Sequence, residues 1–570
     1  MAEAATNPRA ELKKRILRRG QGLITQRSSW LTDWMDVSAY LAPRLGRWFP
    51  TDTNRGGRKS QLIYDRTAAR GLRVLSAGLM SGMTSPARPW FRLTTRDPDL
   101  AKSGPVKLWL ALVGERMRDI FTHSNTYRGL HSMYKQLGTF GVSCSLVLED
   151  FEDVIRFYTM EAGEFCLAAN ARNVVDTVYR ELQMTQAQLV EQFGAKACSA
   201  RIQADLREGR NLDQWITISH MIEPRRVRSI GAPGARNMPF ASYWIEQGRD
   251  VEDEIFLRES GYKRFPALAV RWEPTGNDVY GDSPGLEGLG DIKQLQHQQL
   301  RKSQGIDYKT KPSMQTAAAN KNRDIDLLPG GISFLDSMGD KEGLRPTFQA
   351  EHLDLRDLRE DIQDVRQRIS DCFYEPLFMM MANDERAQPA TAREIAERHE
   401  EKLLMLGPVL ERFHDEMLAP LIDITFDRMM DAKLVPPPPD ELQGQDLKIE
   451  FVSVLAQAQR AVGLQAVDRF LGTVGNMSAL WPNAKDKVKV DNVIDRYGEY
   501  LGMDPELIAS DEEVAAVREQ RAKAAEQAAQ QEQMAQQAET AQKLAATPTG
   551  GQNALTDLMS QFQGYGLPQQ

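Results

Sequence analysis

Tyr280-Gly-Asp-Ser-Pro-Gly-Leu-Glu-Gly-Leu-Gly-Asp-Ile-Lys293 is where the chain changes its rhythm. Ahead of it, short apolar runs alternate; after it, apolar residues recur at helical spacing. Ser283 supplies the side-chain oxygen that a helix N-cap uses, and Pro284 suits the first helical position. Leu286, Leu289, Ile292 and Leu295 follow on one stripe. The opposite face is amide and base: Gln294, Gln296, His297, Gln298, Gln299, Arg301 and Lys302. A helix is therefore expected over 281–305. A second helix is expected over 353–378, where Leu355, Leu358, Ile362, Val365 and Ile369 recur at spacings of 3, 4, 3 and 4 before Phe373. Its other faces are mostly charged. So narrow an apolar stripe calls for one helix partner, either inside the chain or on a neighbouring subunit. Residues 306–352, between the two helices, are turn-rich and carry Lys309, Lys311 and Arg323.

Upstream, residues 11–42 read as a helix interrupted at Gly20 and Gly22, and 60–83 as a second helix ended by Pro86 and Pro89. A short strand at Trp90–Leu93 and helices over 106–121 and 127–137 come next. From Val142 the period becomes two: Val142, Cys144, Leu146 and Leu148 face one way, Ser143 and Ser145 the other, as in a half-buried strand. Strands at 155–160, 164–169, 175–182, 215–222, 243–246, 254–257 and 267–272, with a helix at 186–193, complete an α+β region. Downstream, 379–390 breaks the helical pattern and reads as a loop. Thr391 and Glu394 form a capping box opening a helix to Asp431, kinked by Pro408 and Pro420. A strand at 448–454 and smaller helices to Ile508 follow. Ser510 and Glu513 open an Ala/Gln-rich helix to Ala546, and 547–570 is a Gly/Gln-rich tail with the composition of disorder. The fold class is α+β, predominantly helical.

The chain has 570 residues, enough for several domains, and 41% are hydrophobic. No apolar run approaches the roughly 20 residues of a membrane span, and no secretory signal pattern is present. The four cysteines (Cys144, Cys166, Cys198, Cys372) form no CxxC pair and read as buried free thiols. Net charge is −8, yet residues 1–90 hold 16 basic against 6 acidic side chains, leaving −18 for the remainder. That basic segment suits DNA or an acidic partner, and equally a solvated helix face. No Gly-Lys pair exists, so a P-loop is excluded. Gly281-Asp-Ser-Pro-Gly285 matches GxSxG, but Pro284 lacks the N–H that an oxyanion hole would need. Asp150, Glu152 and Asp153 are candidate metal ligands of a nuclease, or simply a charged turn. Neither feature makes the chain read as an enzyme, and no cofactor is expected.

The order of parts, with the 280–293 stretch and Tyr64-Asp-Arg-Thr-Ala-Ala-Arg-Gly-Leu-Arg-Val-Leu-Ser-Ala-Gly-Leu-Met-Ser-Gly-Met-Thr-Ser-Pro86 followed by Trp90-Phe91, resembles the portal (head–tail connector) proteins of short-tailed bacteriophages. The likeness covers about residues 10–505. It implies a portal-type subunit assembling into a ring, typically of twelve, at one capsid vertex of the virion after assembly in the host cytoplasm. Residues 1–280 would be the wing, joined by 391–456; 281–305 and 353–378 the stem helices; 306–352 the clip; 379–390 the tunnel loop; 457–508 the crown; and 509–546 a helical barrel. Met379, Met380, Met381, Asn383, Asp384, Glu385 and Arg386 would face a DNA channel. Leu355, Leu358, Ile362, Val365 and Ile369 would form the assembly seam, and Lys309, Lys311 and Arg323 the clip contacts. The implied partners are double-stranded DNA, read without regard to sequence, the major capsid and scaffolding proteins, the terminase large subunit and a tail adaptor. Two other readings are a metal-dependent nuclease and an internal virion or scaffolding coiled-coil protein.

Overall fold

The computed structural model describes residues 8–49, 60–97, 100, 103–229, 231–249, 254–311, 314–315, 345–346, 354–383, 406–442, 447–452, 470–477, 481, 488–501 and 511–545. The chain divides into two compact units, Met1–Arg96 with Leu108–Phe470, and Asp97–Lys107 with Leu471–Gln570.

In the larger unit, α1 (Pro8–Leu41) runs 34 residues without a break. The expected interruption at Gly20 is absent for a packing reason: a β-carbon there would lie 2.4 Å from the Tyr179 ring. Glycine admits that ring against the helix instead of ending it. α2 (Thr67–Met83) starts seven residues later than expected, because the Asp65 carboxylate accepts the Thr67 N–H and so fixes the first turn. Leu62 is left exposed ahead of it. β1 (Phe91–Thr95), α3 (Gly104–His123) and α4 (Thr126–Phe140) follow. Gly141, at φ +70°, turns the chain from α4 into β2 (Val142–Asp150), and a β-carbon on it would sit 2.1 Å from the Gly281 carbonyl oxygen.

β3 (Val154–Met160), β4 (Phe165–Ala169), β5 (Val175–Thr185), α5 (Gln186–Phe193), α6 (Ala200–Glu208), β6 (Trp215–Pro224), β7 (Phe240–Glu246), β8 (Arg258–Tyr262) and β9 (Ala267–Arg271) complete the α+β region. Two antiparallel sheets result, in the orders β3-β2-β9 and β4-β5-β6-β7-β8. β2 is not half-buried as expected. It is the central strand, and Ser143 and Ser145 are as buried as Cys144 and Leu146. The strand expected at 254–257 lies later, at Arg258–Tyr262. Phe256 and Leu257 are apolar because they plug the core from the connection, whereas the edge strand itself is mixed in character. α1 lies over the five-stranded sheet, with Ile16 and Leu23 packed among Tyr179, Met221, Tyr243 and Ile245.

α7 (Pro284–Glu287) and α8 (Leu289–Thr310) carry the chain to β10 (Met314–Gln315), which pairs with β11 (Arg345–Pro346); α9 (Arg356–Cys372) and α10 (Glu375–Asn383) return it. Thr391 and its capping box lie outside the described residues. Residues 406–413 are helical, and the helix widens to a π turn over His414–Leu418 before α11 (Ala419–Asp431). Pro420 supplies the reason: it cannot donate to Glu416 O, and its ring would crowd that carbonyl in a regular α-helix. β12 (Leu447–Phe451) then pairs with β1, Leu93 opposite Ile449. In the smaller unit are α12 (Val490–Leu501) and α13 (Asp511–Ala545), joined by a two-pronged pair from Arg518 to Asp491 at 2.7 Å. The Ser510 cap and the tail lie outside the described residues. Among the described residues no helix is long and apolar enough to cross a membrane.

Candidate functional site: a helical hairpin and its anchor

α8 and α9 pack as an antiparallel hairpin, and three polar contacts fix the register. Cys372 donates its S–H to Pro284 O at 3.1 Å, Arg368 pairs with Asp291 at 3.3 Å, and Gln298 donates to Asp361. Going up α7 and α8 from 284 to 291 to 298 means going down α9 from 372 to 368 to 361. At the far end the two-residue ladder, Met314 opposite Pro346 and Gln315 opposite Arg345, draws the strands together.

The expected assembly seam divides in two. Ile362, Val365, Ile369 and Phe373 are fully buried within the single chain, as are Ile292 and Leu295 on α8. These side chains are therefore not free to meet a neighbouring subunit; they close the hairpin on itself and on α2. Leu355 and Leu358, toward the far end, stay half-buried. α2 accepts the hairpin through glycines. A β-carbon on Gly71 would lie 3.0 Å from Phe373, and one on Gly78 would lie 2.1 Å from Phe378. On the α4 side, a β-carbon on Gly138 would lie 2.8 Å from Leu75 of α2.

A buried polar anchor locks this junction. Gln296 Oε1 accepts the backbone N–H groups of Tyr64 and Asp65 at 2.7 and 2.8 Å, and its Nε2 donates to Asp65 O at 3.0 Å. Asp65 Oδ1 accepts the N–H and O–H of Thr67, and Oδ2 accepts from Gln299 and from both Nε and Nη2 of Arg366. Burial pushes the Asp65 carboxyl up, but the hydrogen bonds from Thr67 and Arg366 outweigh it and hold the group below its ordinary range. α2, α8 and α9 thus meet on one carboxylate. The sequence pattern missed this because Gln296 and Gln298, both buried, look like surface residues. The available signal was their density on a helix that also carried an apolar stripe.

The other expected site residues fall as follows. The second stem helix does not run unbroken to Phe378. It stops at Tyr374, whose φ of +54° is left-handed, and restarts at Glu375. Met379, Met380, Met381 and Asn383 belong to that new helix instead of a loop, since the run of Leu, Phe and Met favours helix once Glu375 and Pro376 have started it. Met379 is 39% exposed. Asp384, Glu385 and Arg386 lie outside the described residues. α8 extends to Thr310, so Lys309 stands in its last turn and Lys311 at its C-cap, both exposed. Arg323 lies outside the described residues. Ile306, Tyr308 and Met314 are exposed at the same end of the hairpin.

Ser283 is occupied as a cap: its Oγ accepts the Leu286 N–H at 3.0 Å and donates to Thr139 O at 3.0 Å. Asp150 closes the β2–β3 turn, accepting the N–H groups of Asp153 and Glu152, and these bonds lower its pKa. Among the described residues no group of His, Cys, Asp and Glu is placed to hold a metal ion. All four cysteines are free thiols, three buried and Cys372 partly so, with burial pushing Cys166 and Cys198 up to about 11 and Cys372 up to about 12.

The profile of the family described as "Bacteriophage head to tail connecting protein" matches residues 13–508. The "Probable portal protein" of Bordetella phage BPP-1 is 50% identical over 97% of this chain and 99% of its own length. The "Portal protein" of Salmonella phage epsilon15 is 42% identical over 98% and 99%. Among solved structures, a chain of the virion of the native gene transfer agent particle covers 72% of this chain and 91% of its own, at 10% identity and a TM-score of 0.32. By a match that spans nearly its whole length, the chain belongs to the bacteriophage head-to-tail connecting protein family.

Proposed function

We propose that this chain is a phage portal subunit: a non-enzymatic structural protein that closes into a ring at one capsid vertex and conducts double-stranded DNA into and out of the head. The observation that carries the reading is its end-to-end likeness to two phage portal proteins. The hairpin supports it physically. Its internal seam is closed, while its flanks expose Arg356, Arg359, Glu360 and Asp364 on α9 and Arg301 and Lys309 on α8. Over their whole lengths α8 carries four basic and two acidic residues, and α9 four basic and five acidic. Flanks of opposite net sign suit a heterologous contact, α8 of one subunit beside α9 of the next, and such a contact closes a ring when its rotation permits.

In this reading residues 1–280 and 391–456 form the wing, α8 and α9 the stem, 306–352 the clip, 379–390 the channel-facing segment, 457–508 the crown and 509–546 a barrel. The ring is a dodecamer that nucleates the head with capsid and scaffolding proteins, receives the terminase large subunit during packaging, and holds a tail adaptor afterwards. In a net-acidic chain, a wall of mixed charge lets a duplex slide, because strong phosphate pairing would add friction. Negative-stain microscopy of the purified protein tests the reading: radially symmetric annuli with a central hole are expected, and a compact monomer under all conditions overturns it.

A further inference from the structure

Where the start of α1 crosses the sheet, arginines crowd two carboxylates, Glu223 buried and Glu259 partly so. Glu259 on β8 takes Arg9 at 3.4 Å, Arg225 at 3.4 Å and Arg236 at 3.6 Å. Glu223 on β6 takes Arg15 and Arg19. Glu223 near the end of β6 and Arg225 just past it are two apart, and Glu259 stands opposite Tyr243, so the clusters adjoin. Three more arginines border them: Arg18 beside Arg19 on α1, and Arg226 and Arg228 just past β6. All three are exposed, and no ion pair holds them among the described residues. Lys14 is balanced by Glu11. Among the described residues, eight guanidiniums thus gather about these two carboxylates, an excess of six positive charges in a chain whose net charge is −8.

We infer that this cluster is a docking surface for the phosphate backbone of double-stranded DNA, bound without regard to sequence. It is separate from the proposed channel segment. The two glutamates pre-position guanidiniums and leave them in excess, which is the arrangement that recruits further anionic oxygens. The side chains of Arg15 and Arg236 are 43% and 67% exposed, so the cluster reaches solvent beyond its own acids. Among the described residues Val227, 89% exposed, stands between Arg226 and Arg228, and phosphate contacts need no apolar anchor.

The test is fluorescence anisotropy of a random-sequence duplex with the full-length protein across a KCl series, beside polyglutamate as an acidic-polypeptide probe. R18E/R226E/R228E removes three exposed charges that hold no fold contacts, and R18Q/R226Q/R228Q does so without reversing them. Removing one phosphate-binding cation flattens the plot of log affinity against log salt by about 0.9. The glutamine variant is expected to show a slope shallower by about 2–3 and binding about tenfold weaker at low salt. R172E/R207E, placed elsewhere, is expected to behave as the unaltered protein. Unchanged DNA binding by both cluster variants, an equal drop in the control, or capture of polyglutamate without capture of duplex would each overturn the inference. Annuli in the same preparations report on the portal reading independently.

Discussion

Asp65→Asn is the sharpest probe of the junction that carries the hairpin. The carboxylate accepts two bonds from Thr67 on Oδ1 and, on Oδ2, bonds from Gln299 at 3.0 Å and Arg366 at 2.7 and 3.1 Å. Asparagine can keep an oxygen toward Thr67, but its amide nitrogen then meets two donors. Arg366 has a side chain 43% exposed, so water replaces much of what the carboxylate gave it. That pair is worth up to about 1 kcal/mol, and the part-buried Gln299 bond to a charged acceptor about 1.5–2 kcal/mol. Local opening at the start of α2 should thus become easier by about 2–3 kcal/mol, which is about 30- to 150-fold in an opening equilibrium.

Hydrogen exchange at neutral pH reads this directly, because the amides of Tyr64 and Asp65 are held by Gln296. Their protection should fall by that factor, while peptides from β5 and β6 keep theirs. A change under threefold at residues 64–67 would show that the carboxylate is not the anchor. The pH dependence supplies the sign. The folded pKa is below the unfolded one, so the stabilisation is present above about pH 4 and is lost as pH falls through the folded value. The gap between unaltered protein and variant should accordingly close in acid.

Three further outcomes are expected. Val365→Asp places a charge in a fully buried seam and should unfold the hairpin, with loss of the cooperative thermal transition, whereas Leu358→Asp should leave helical content intact and remove annuli in negative stain; annuli surviving Leu358→Asp would exclude the far seam from assembly. His220 is buried, accepts from Arg180 at Nδ1 (3.1 Å) and stacks on Trp244; burial and then the Arg180 charge keep it neutral well below its ordinary pKa. The unfolded chain alone takes up a proton below about pH 6.5, so stability should fall with acid by up to about 1.4 kcal/mol per unit, and His220→Asn should remove that slope in thermal melts. Iodoacetamide at pH 8 should leave all four cysteines unmodified in the native protein, and rapid labelling of Cys166 or Cys372, read by mass spectrometry, would contradict their packing.

Periodicity revealed what a single element can encode. The alternation after Gly141, the Ser283–Pro284 cap and the 3-4-3-4 seam each mark one segment's secondary structure, and each forms the strand or helix its pattern indicates. The misreadings arise where burial belongs to a second element. Gly20 looks like a helix breaker until Tyr179 is laid against it. Ser143 and Ser145 look solvent-facing until β2 is placed between β3 and β9. Gln296 looks exposed until Asp65 arrives from 231 residues away, and Gln298 until Asp361 is laid beside it. The break at Tyr374 leaves only Pro376 as a local mark, while the packing of Phe373 and Phe378 is dictated by Gly71 and Gly78 on α2.

The divided seam also decides where assembly can act. A helix that spends Ile362, Val365, Ile369 and Phe373 on its own chain has no apolar stripe left near the body of the subunit. Contacts there must be polar, between charged flanks, and such contacts are individually weak and salt-sensitive. The register 298 to 361 puts the end of α8 beside the start of α9, so Ile306 and Tyr308 share the far end with Leu355 and Leu358. In the proposed ring, apolar burial between subunits would be available at the far end of the hairpin and scarce at its root. Such a ring would be held where the apolar groups remain open and left adjustable where only ion pairs meet. A wall that must close firmly yet allow a duplex to slip past needs both properties, and the proposed stem would separate them along its length.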